Sequence, residues 1–420
     1  MIDKNLKQQI QRTRGKFIAM TATYTLGVFN DSFFRQSAML LAVACNIWQL
    51  QGWIIAIFTL PYIIFASTAG WLADRFAKRF VVIGAKILEL AAMICGAVGI
   101  ITINWRLIMP MVFVMGFQSC IFNPALNGSI PELYPDLYVT RANAILKVIT
   151  TAAILGGVSI SGLILVIESA GWGKIPGGRL FVALIIVIIS TLGAIVSFWV
   201  PRRPAASPNL KFPWSGPLDT LKECAIIDKD RLLSLIVITK VFIWFVGSLL
   251  LPVINLLATI QLGLGLDMAS FMVAAEVIGV AAGGIAGSRF SVKPGWHVIL
   301  PRAILSMGLM LLLMAALPVL PGRLLIPAVF ILLFVVGCMG GMVIVPCQGF
   351  VQIRPKKDRK GKVLASVNFA IFFGILVSGP VANVMNQLFI PTDGLAVVGF
   401  CSLPFGIWLR SALAKESAND

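Results

Sequence analysis

The chain has 420 residues, of which 59% are hydrophobic and only 12% are charged, a composition that excludes a soluble protein with a charged surface. The formal net charge is +17, which in a soluble chain would suggest a nucleic-acid partner. Here Lys and Arg fall in short segments beside apolar runs, where they set topology and contact anionic lipid. We therefore expect membrane lipids as partners, and no nucleic acid.

Apolar runs long enough to cross a bilayer recur along the whole chain. A helix of about 20 residues spans a hydrocarbon core of about 30 Å, and continuously apolar runs exclude the alternating pattern of a membrane β-barrel. The runs lie near residues 17–43, 50–72, 79–102, 107–133, 142–166, 178–200, 232–259, 267–288, 295–318, 324–352, 363–387 and 390–410. They predict an all-α membrane protein with twelve transmembrane helices in two pseudo-symmetric six-helix bundles.

Lys and Arg are distributed very unequally between alternate connections of these helices. Connections on one side, with both termini, hold 25 of them, and the other side holds Arg106, Lys174, Arg179 and Arg323. Because positive charge stays on the cytoplasmic side, both termini are predicted to be cytoplasmic.

The longest polar stretch begins with Pro-Arg-Arg-Pro and divides the chain near its middle. It predicts an N-terminal bundle over 1–201, a cytoplasmic linker over 202–231 and a C-terminal bundle over 232–420. Within the linker, residues 218–227 could form a short interfacial helix or an irregular loop. Gly284–Lys293 aligns without gaps to Gly70–Arg79, which favours a duplicated architecture.

Nothing in the sequence indicates enzyme chemistry. The seven cysteines are scattered without paired spacing, and neither a phosphate-binding loop nor a nucleophile elbow occurs. The single histidine, His297, is followed at the fifth position by Arg302, so the His-x-x-x-x-Asp pattern of glycerolipid acyltransferases is missing. We predict no catalytic residues, no cofactor and no metal.

Two acid–base couples lie inside predicted helices, where each charge costs roughly 2.5–3.5 kcal/mol at the helix centre. Asp31 and Arg35 are four residues apart, and Lys86 and Glu89 three apart, so each couple shares a helix face. Pairing within the couple is one explanation for both. A role in binding is the other.

Three further charges inside the membrane have no partner on their own helix. Lys147 and Lys240 could extend toward the cytoplasmic interface or contact an anion in a cavity. Glu276 lies beside Gly279, Gly283 and Gly287, whose four-residue spacing predicts close helix packing. Packing explains the glycines and leaves Glu276 without a role.

The string Gly-Trp-Leu-Ala-Asp-Arg-Phe-Ala-Lys-Arg at 70–79 resembles the loop between helices two and three of the major facilitator superfamily. The resemblance implies that Gly70, Asp74, Arg75 and Arg79 hold a cytoplasmic gate shut. Orientation by positive charge explains the bases equally well.

Within that superfamily, several segments resemble the LplT-type lysophospholipid transporters. These are Gly27–Asp31, Phe122–Gly128, Pro131–Leu133, Arg141–Ala144 and Gly337–Pro346. The chain departs from the family pattern at Leu126, where the family has a lysine, and at Lys147, where it has an acid. The charge could therefore have moved within the cavity, the head group could differ, or the chain could belong to a diverged subfamily.

This resemblance implies a monomeric transporter in the bacterial inner membrane. It would move lysophospholipid, above all lysophosphatidylethanolamine, from the outer to the inner leaflet by alternating access, with a functional link to an acyltransferase–acyl carrier protein synthetase. Its implied amphipathic substrate site comprises Asn30, Asp31, Arg35, Phe122, Asn123, Lys147, Lys240, Trp244 and Glu276.

Two other functions stay open at this point. A proton-coupled transporter of a soluble amphipathic metabolite or drug could use Asp31 or Glu276 as its titrating group. A membrane anchor or lipid-sensing receptor is disfavoured, because anchoring does not need charges near the middle of the membrane.

Overall fold

The computed structural model describes residues 4–133, 136–202, 204–216, 230–290, 295–317, 322–355 and 360–417. The possible interfacial helix at 218–227 lies outside these ranges. Thirteen α-helices occur within them: α1 (Lys4–Ala44), α2 (Leu50–Ile64), α3 (Ala66–Arg75), α4 (Lys78–Thr102), α5 (Trp105–Leu133), α6 (Asp136–Leu165), α7 (Gly177–Ser197), α8 (Arg231–Leu256), α9 (Leu266–Phe290), α10 (Ile299–Ala315), α11 (Gly322–Ile353), α12 (Lys360–Leu388) and α13 (Pro391–Ser417).

Ten helices in the described ranges are long and apolar enough to cross a membrane, and α2 with α3 makes eleven if the pair is one span. The predicted all-helical membrane fold is confirmed at this level. Helix α1 is not among the ten, and its interior carries Asn30, Asp31, Arg35 and Gln36. A total of twelve spans stays a prediction.

The predicted single helix over 50–72 is broken in the structure. Helix α2 ends at Ile64 and α3 begins at Ala66, with a bend of 53° between them. Phe65 has φ −110° and ψ 6°, which lie outside helical values. Pro61 lies one turn before the break.

Contacts group the chain into two compact units. Unit 1 comprises Met1–Ala38 with Ile57–Pro217, and unit 2 comprises Met39–Ala56 with Leu218–Asp420. The end of α1 and the start of α2 thus pack with the second unit. The division into bundles 1–201 and 232–420 stays a prediction.

An apolar cluster in unit 1 joins α1 to α3, α4, α5 and α6. Phe17 of α1, Val82 of α4, Phe122 of α5 and Leu146 of α6 are all buried in it. Leu126, which replaces the lysine of the family pattern, is also part of this cluster and only 1% exposed. A charge at this position would be buried in apolar packing.

Close backbone contact joins α9 to α11 in unit 2. A Cβ atom at Gly279 or Gly283 would overlap the carbonyl oxygen of Phe334 or Cys338. The contact is the same in the other direction: a Cβ at Gly341 of α11 would overlap the carbonyl oxygen of Val280 on α9. The close packing predicted from glycine spacing is confirmed.

Residues 39–56 are joined to the rest of unit 2 in a similar way. A Cβ at Gly52 would overlap the carbonyl oxygen of Gly379, and a Cβ at Gly379 that of Gly52. Beside this contact, the buried Asn255 Nδ2 donates a hydrogen bond of 2.8 Å to Gln51 Oε1. Polar pairing and small residues together hold α2 against α8 and α12.

Gly341→Ala should destabilise the protein, because the added Cβ meets the Val280 carbonyl and lies 2.7 Å from the Gly284 nitrogen. Overpacking of this kind costs about 1–3 kcal/mol, so we expect a lower melting temperature in detergent. Gly340→Ala is the matched control, since its Cβ has only the Ile243 side chain at 4.0 Å. Equal melting temperatures for the two variants would contradict the packing argument.

An ion pair ties the start of α8 to the end of α11. Asp230 accepts a hydrogen bond from the Leu233 backbone N–H at 3.1 Å, which caps α8, and its other oxygen accepts from Arg354 Nε at 2.9 Å. Burial by itself would raise the pKa of Asp230, but these hydrogen bonds and the Arg354 charge lower it below its ordinary value.

Asp230→Asn should cost stability at neutral pH and much less in acid. A carboxyl whose pKa is lowered on folding stabilises the fold above its unfolded pKa of about 3.9, and the effect is lost as pH falls through the lower folded value. Asparagine still caps the helix, so the variant isolates the charge. We expect the difference in melting temperature from wild type to shrink between pH 6 and pH 3; a constant difference would refute the assignment.

Candidate functional site

A polar pocket of about 100 Å³ lies inside unit 1, where α1, α2, α4 and α5 meet. This volume equals about three water molecules at 30 Å³ each, so it suits a small polar group. The lining residues are Tyr24, Gly27, Val28, Asp31, Tyr62, Lys86, Gln118, Ser119, Phe122 and Asn123.

Asp31 is the acid at the centre of this pocket. Its two oxygens accept hydrogen bonds from Ser119 Oγ at 2.5 Å and from Gln118 Nε2 at 3.3 Å. Gln118 Nε2 also donates to Ser119 Oγ at 2.7 Å. Hydrogen bonds from hydroxyl and amide donors stabilise a carboxylate away from bulk water, and the half-buried side chain still borders the pocket.

Asp31 does not form the ion pair with Arg35 that their spacing allows. The Arg35 guanidinium instead lies over the Phe58 ring, 4.9 Å from its centroid. A cation over an aromatic face is stabilised by the ring quadrupole. Arg35 therefore acts on Asp31 only through its charge.

Lys86 and Glu89 form the predicted pair, with Lys86 Nζ 2.7 Å from Glu89 Oε2. The second oxygen of Glu89 accepts from Asn30 Nδ2 at 3.2 Å, and the same amide lies 3.4 Å from the Ile186 carbonyl on α7. Asn30 is thus placed behind the pocket, where it binds Glu89. Lys86 itself faces the pocket.

Aromatic rings form the apolar side of the pocket. Phe122 stacks on Tyr24 with centroids 5.7 Å apart, and Lys86 Nζ lies 5.1 Å from the centre of the Phe122 ring. Asn123, the next residue of α5, adds an amide to the lining. Of the predicted substrate residues, Asp31, Phe122 and Asn123 line this pocket and Asn30 and Arg35 adjoin it.

Seven lining residues are outside the predicted substrate site. Gly27, Val28 and Lys86 belong to segments or pairs noted in the sequence for other reasons, whereas Tyr24, Tyr62, Gln118 and Ser119 were not identified from the sequence. A signal for two of them was present, because Gln118 and Ser119 lie one helical turn before Phe122 and Asn123 and share their face. Tyr62 could not be placed, since the bend after Ile64 interrupts the predicted helix.

The other predicted substrate residues lie elsewhere. Lys147 on α6 has an exposed side chain and does not line the pocket. In unit 2, the buried Lys240 donates to Gln348 Oε1 at 2.5 Å, and Trp244, one turn along α8, is 39% exposed. Glu276 is buried on α9, against the glycines of α11.

Three of the four predicted gate residues, Gly70, Asp74 and Arg75, are in α3, and Arg79 is in the first turn of α4. Residues 204–216 contact the C-terminal part of α3. Arg75 Nη1 and Trp71 Nε1 both donate to the Leu210 carbonyl, at 2.6 and 3.0 Å. The Asp74 carbonyl accepts from the Ser207 N–H at 2.8 Å, while its side chain is exposed.

Arg79 and Gly70 differ from these two. Arg79 Nη2 donates to the Phe198 carbonyl at 2.7 Å, just past the end of α7, where a cation is favoured by the helix dipole. Gly70 has open space where a Cβ would lie. These contacts are all within unit 1, and a gating role for the four residues stays a prediction.

Comparison with known proteins places this helical architecture. The sequence profile of the Major Facilitator Superfamily matches residues 15–379. The chain belongs to this superfamily. Its similar relatives include proteins named "Lysophospholipid transporter LplT": that of Serratia proteamaculans is 25% identical over 345 residues, and that of Escherichia coli O1:K1 is 28% identical over 348 residues. Each alignment covers 81% of this chain and 81% of the relative.

Solved structures agree on the major facilitator fold. A D-xylose–proton symporter matches with a TM-score of 0.73 and 14% identity, covering 94% of this chain and 96% of the symporter. A bacterial homologue of the lysosomal transporter Spinster matches with a TM-score of 0.70 and 13% identity, covering 99% and 98%. The protein is therefore a multi-pass membrane transporter that resembles the LplT proteins.

In this major facilitator protein, the double variant Trp71→Phe/Arg75→Met should release residues 204–216 from α3. It removes both side-chain donors to the Leu210 carbonyl and keeps an aromatic ring at 71. With about 1 kcal/mol per lost hydrogen bond and two bonds lost, we expect trypsin to cleave after the exposed Lys211 roughly thirtyfold faster. Cleavage after Lys174, in the α6–α7 loop, is the internal control. Unchanged cleavage after Lys211 would show that these contacts do not hold the segment.

Proposed function

We propose that this protein moves lysophospholipids from the outer to the inner leaflet of a bacterial inner membrane, with lysophosphatidylethanolamine as the main substrate. Both termini would be cytoplasmic, and the protein would act as a monomer. The names of its relatives support this substrate class. A functional link to an acyltransferase–acyl carrier protein synthetase is part of the same proposal.

The observation that carries the proposal is the pocket of unit 1. It combines an acid, a base and several hydroxyl and amide groups in a volume of about 100 Å³, and two of the helices that line it, α4 and α5, are otherwise apolar enough to cross a membrane. A lysolipid has one small charged head and one apolar tail. The pocket suits the head, while the tail needs only apolar surface, which a membrane protein supplies widely.

Transport then requires that the head group leaves water and finds compensating charges. Asp31 would accept hydrogen bonds from the ammonium of the head group, and Tyr24, Tyr62 and Asn123 would add weaker polar contacts. Alternating access in this fold exposes a central site to each side in turn by rocking of two halves. In our proposal Asp74, Arg75 and Arg79 stabilise one end state of this motion.

The size of the pocket argues against a soluble drug bound wholly within unit 1. Sites that bury drug-sized ligands have volumes of about 300–1,000 Å³, several times that of this pocket. A pH gradient that drives uptake of a water-soluble compound, with no lysolipid movement, would favour the proton-coupled alternative.

Asp31→Asn should lower the rate of lysophosphatidylethanolamine flipping about tenfold or more, because a hydrogen bond to a charged group contributes about 1.5–3 kcal/mol. The measurement is the transfer of labelled lysolipid in proteoliposomes, with and without a proton gradient. Asp393→Asn, which changes an exposed acid in the first turn of α13, is the control and should keep the wild-type rate. No transfer by the wild type would refute the function; full activity of Asp31→Asn would exclude Asp31 from the site.

A further inference from the structure

The pair formed by Lys86 and Glu89 is buried more completely than stability alone explains. The two side chains are 2% and 0% exposed. Removing both charges from water costs more than their attraction commonly returns, and well-packed apolar residues are often as stable or better. A pair in this position therefore calls for a function.

The two members of the pair differ in what they face. Both oxygens of Glu89 have partners, Lys86 and Asn30, and Glu89 is not among the pocket-lining residues. Lys86 lines the pocket, and its one hydrogen-bond acceptor among the described residues is Glu89. Because an ammonium has three N–H donors, two remain for a ligand.

Gly27 on α1 makes this position of Lys86 possible. A Cβ atom at Gly27 would overlap Lys86 Nζ and lie 3.5 Å from Glu89 Oε2. Any larger residue would push the ammonium away from its place beside the Phe122 ring. The glycine thus provides the space that lets a base from α4 reach the pocket.

Among the described residues, the charges at and beside the pocket sum to zero. Asp31 and Glu89 are acids, Arg35 and Lys86 are bases, and the other three charges all act on Asp31. A ligand with equal positive and negative charge leaves this balance unchanged. A ligand with a net negative charge would leave one charge uncompensated in a low-dielectric site, which is costly.

Resting on the function proposed above, we infer that Lys86 binds the phosphate of the lysolipid head group and that Glu89 sets the charge selectivity of the site. Asp31 and Lys86 offer one acid and one base to a zwitterionic head. Glu89 is a positioning residue: it holds the Lys86 ammonium at the pocket and keeps the cluster neutral, so that zwitterionic heads are favoured over anionic ones.

The test compares two lysolipids with the same acyl chain, lysophosphatidylethanolamine and lysophosphatidylglycerol, in proteoliposomes of the full-length protein. Glu89→Gln makes the cluster net positive, so the ratio of transport rates should shift toward lysophosphatidylglycerol by about tenfold. Glu168→Gln, which changes an exposed acid of the α6–α7 loop, should keep the wild-type ratio. A ratio within twofold of wild type for a folded Glu89→Gln protein would overturn the inference.

The double variant Lys86→Gln/Glu89→Gln distinguishes an effect of net charge from an effect of lost packing. It also tests the inference if Glu89→Gln alone does not fold. Its cluster is neutral again, so the rate ratio should return to the wild-type value while both rates fall, since the phosphate ligand is gone. Wild-type rates for both lipids in this variant would overturn the role of Lys86. Transport of neither lipid by the wild type would refute the proposed function itself.

Gly27→Ala provides an independent check on Lys86. Displacing the ammonium should raise the KM for both lysolipids several-fold while the protein stays folded. Gly84→Ala on α4, where a Cβ meets nothing within 4 Å, is the matched control. An unchanged KM for Gly27→Ala would show that the position of Lys86 does not matter for binding.

Discussion

Charge held away from water is the constraint on which unit 1 depends. A charged side chain at the centre of a membrane helix costs roughly 2.5–3.5 kcal/mol, and unit 1 holds Asp31, Arg35, Lys86 and Glu89 close together. Different contacts offset the loss of water around these charges. Asp31 accepts hydrogen bonds from hydroxyl and amide donors, Arg35 lies over an aromatic ring, and Lys86 forms an ion pair with Glu89. Three helices besides α1 are needed to supply these partners.

Because its partners come from several helices, the polar site also fixes how those helices pack. Asn30 on α1 reaches both Glu89 on α4 and the Ile186 carbonyl on α7. A change in the distance between α1 and α4 would break the hydrogen bond from Asn30 and leave one buried oxygen of Glu89 with no donor, while Lys86 on the same helix still pairs with the other oxygen. These contacts therefore hold α1, α4 and α7 together within unit 1.

Glycine residues have a different structural role in each unit. In unit 2, Gly279, Gly283 and Gly341 let two helix backbones approach until a methyl group would not fit. In unit 1, Gly27 leaves room for a charged side chain from another helix. Glycine spacing along one helix predicts the first use, whereas the second depends on where Lys86 of α4 reaches α1.

The loop string at 70–79 is similar to a superfamily motif, yet its contacts in this protein are largely to main-chain carbonyls. Arg75 donates to Leu210 and Arg79 to Phe198. Both bases thereby satisfy acceptors that the ends of helices and an extended segment leave open. Arg75 and Arg79 are thus hydrogen-bond donors to main-chain carbonyls, a role that is separate from any effect of their positive charge on topology.

The sequence by itself determined the helical membrane fold, the superfamily and the Lys86–Glu89 pair, because hydropathy, a local motif and an i,i+3 spacing are all properties of neighbouring residues. The resemblance to the LplT-type transporters also grouped Asp31, Phe122 and Asn123, and these three residues line one pocket. Only the tertiary structure decided that Asp31 binds Ser119 instead of Arg35, that Tyr62 reaches the pocket, and that Lys147 does not line it. Those outcomes depend on which helices meet and at what rotation, and no single helix carries that information.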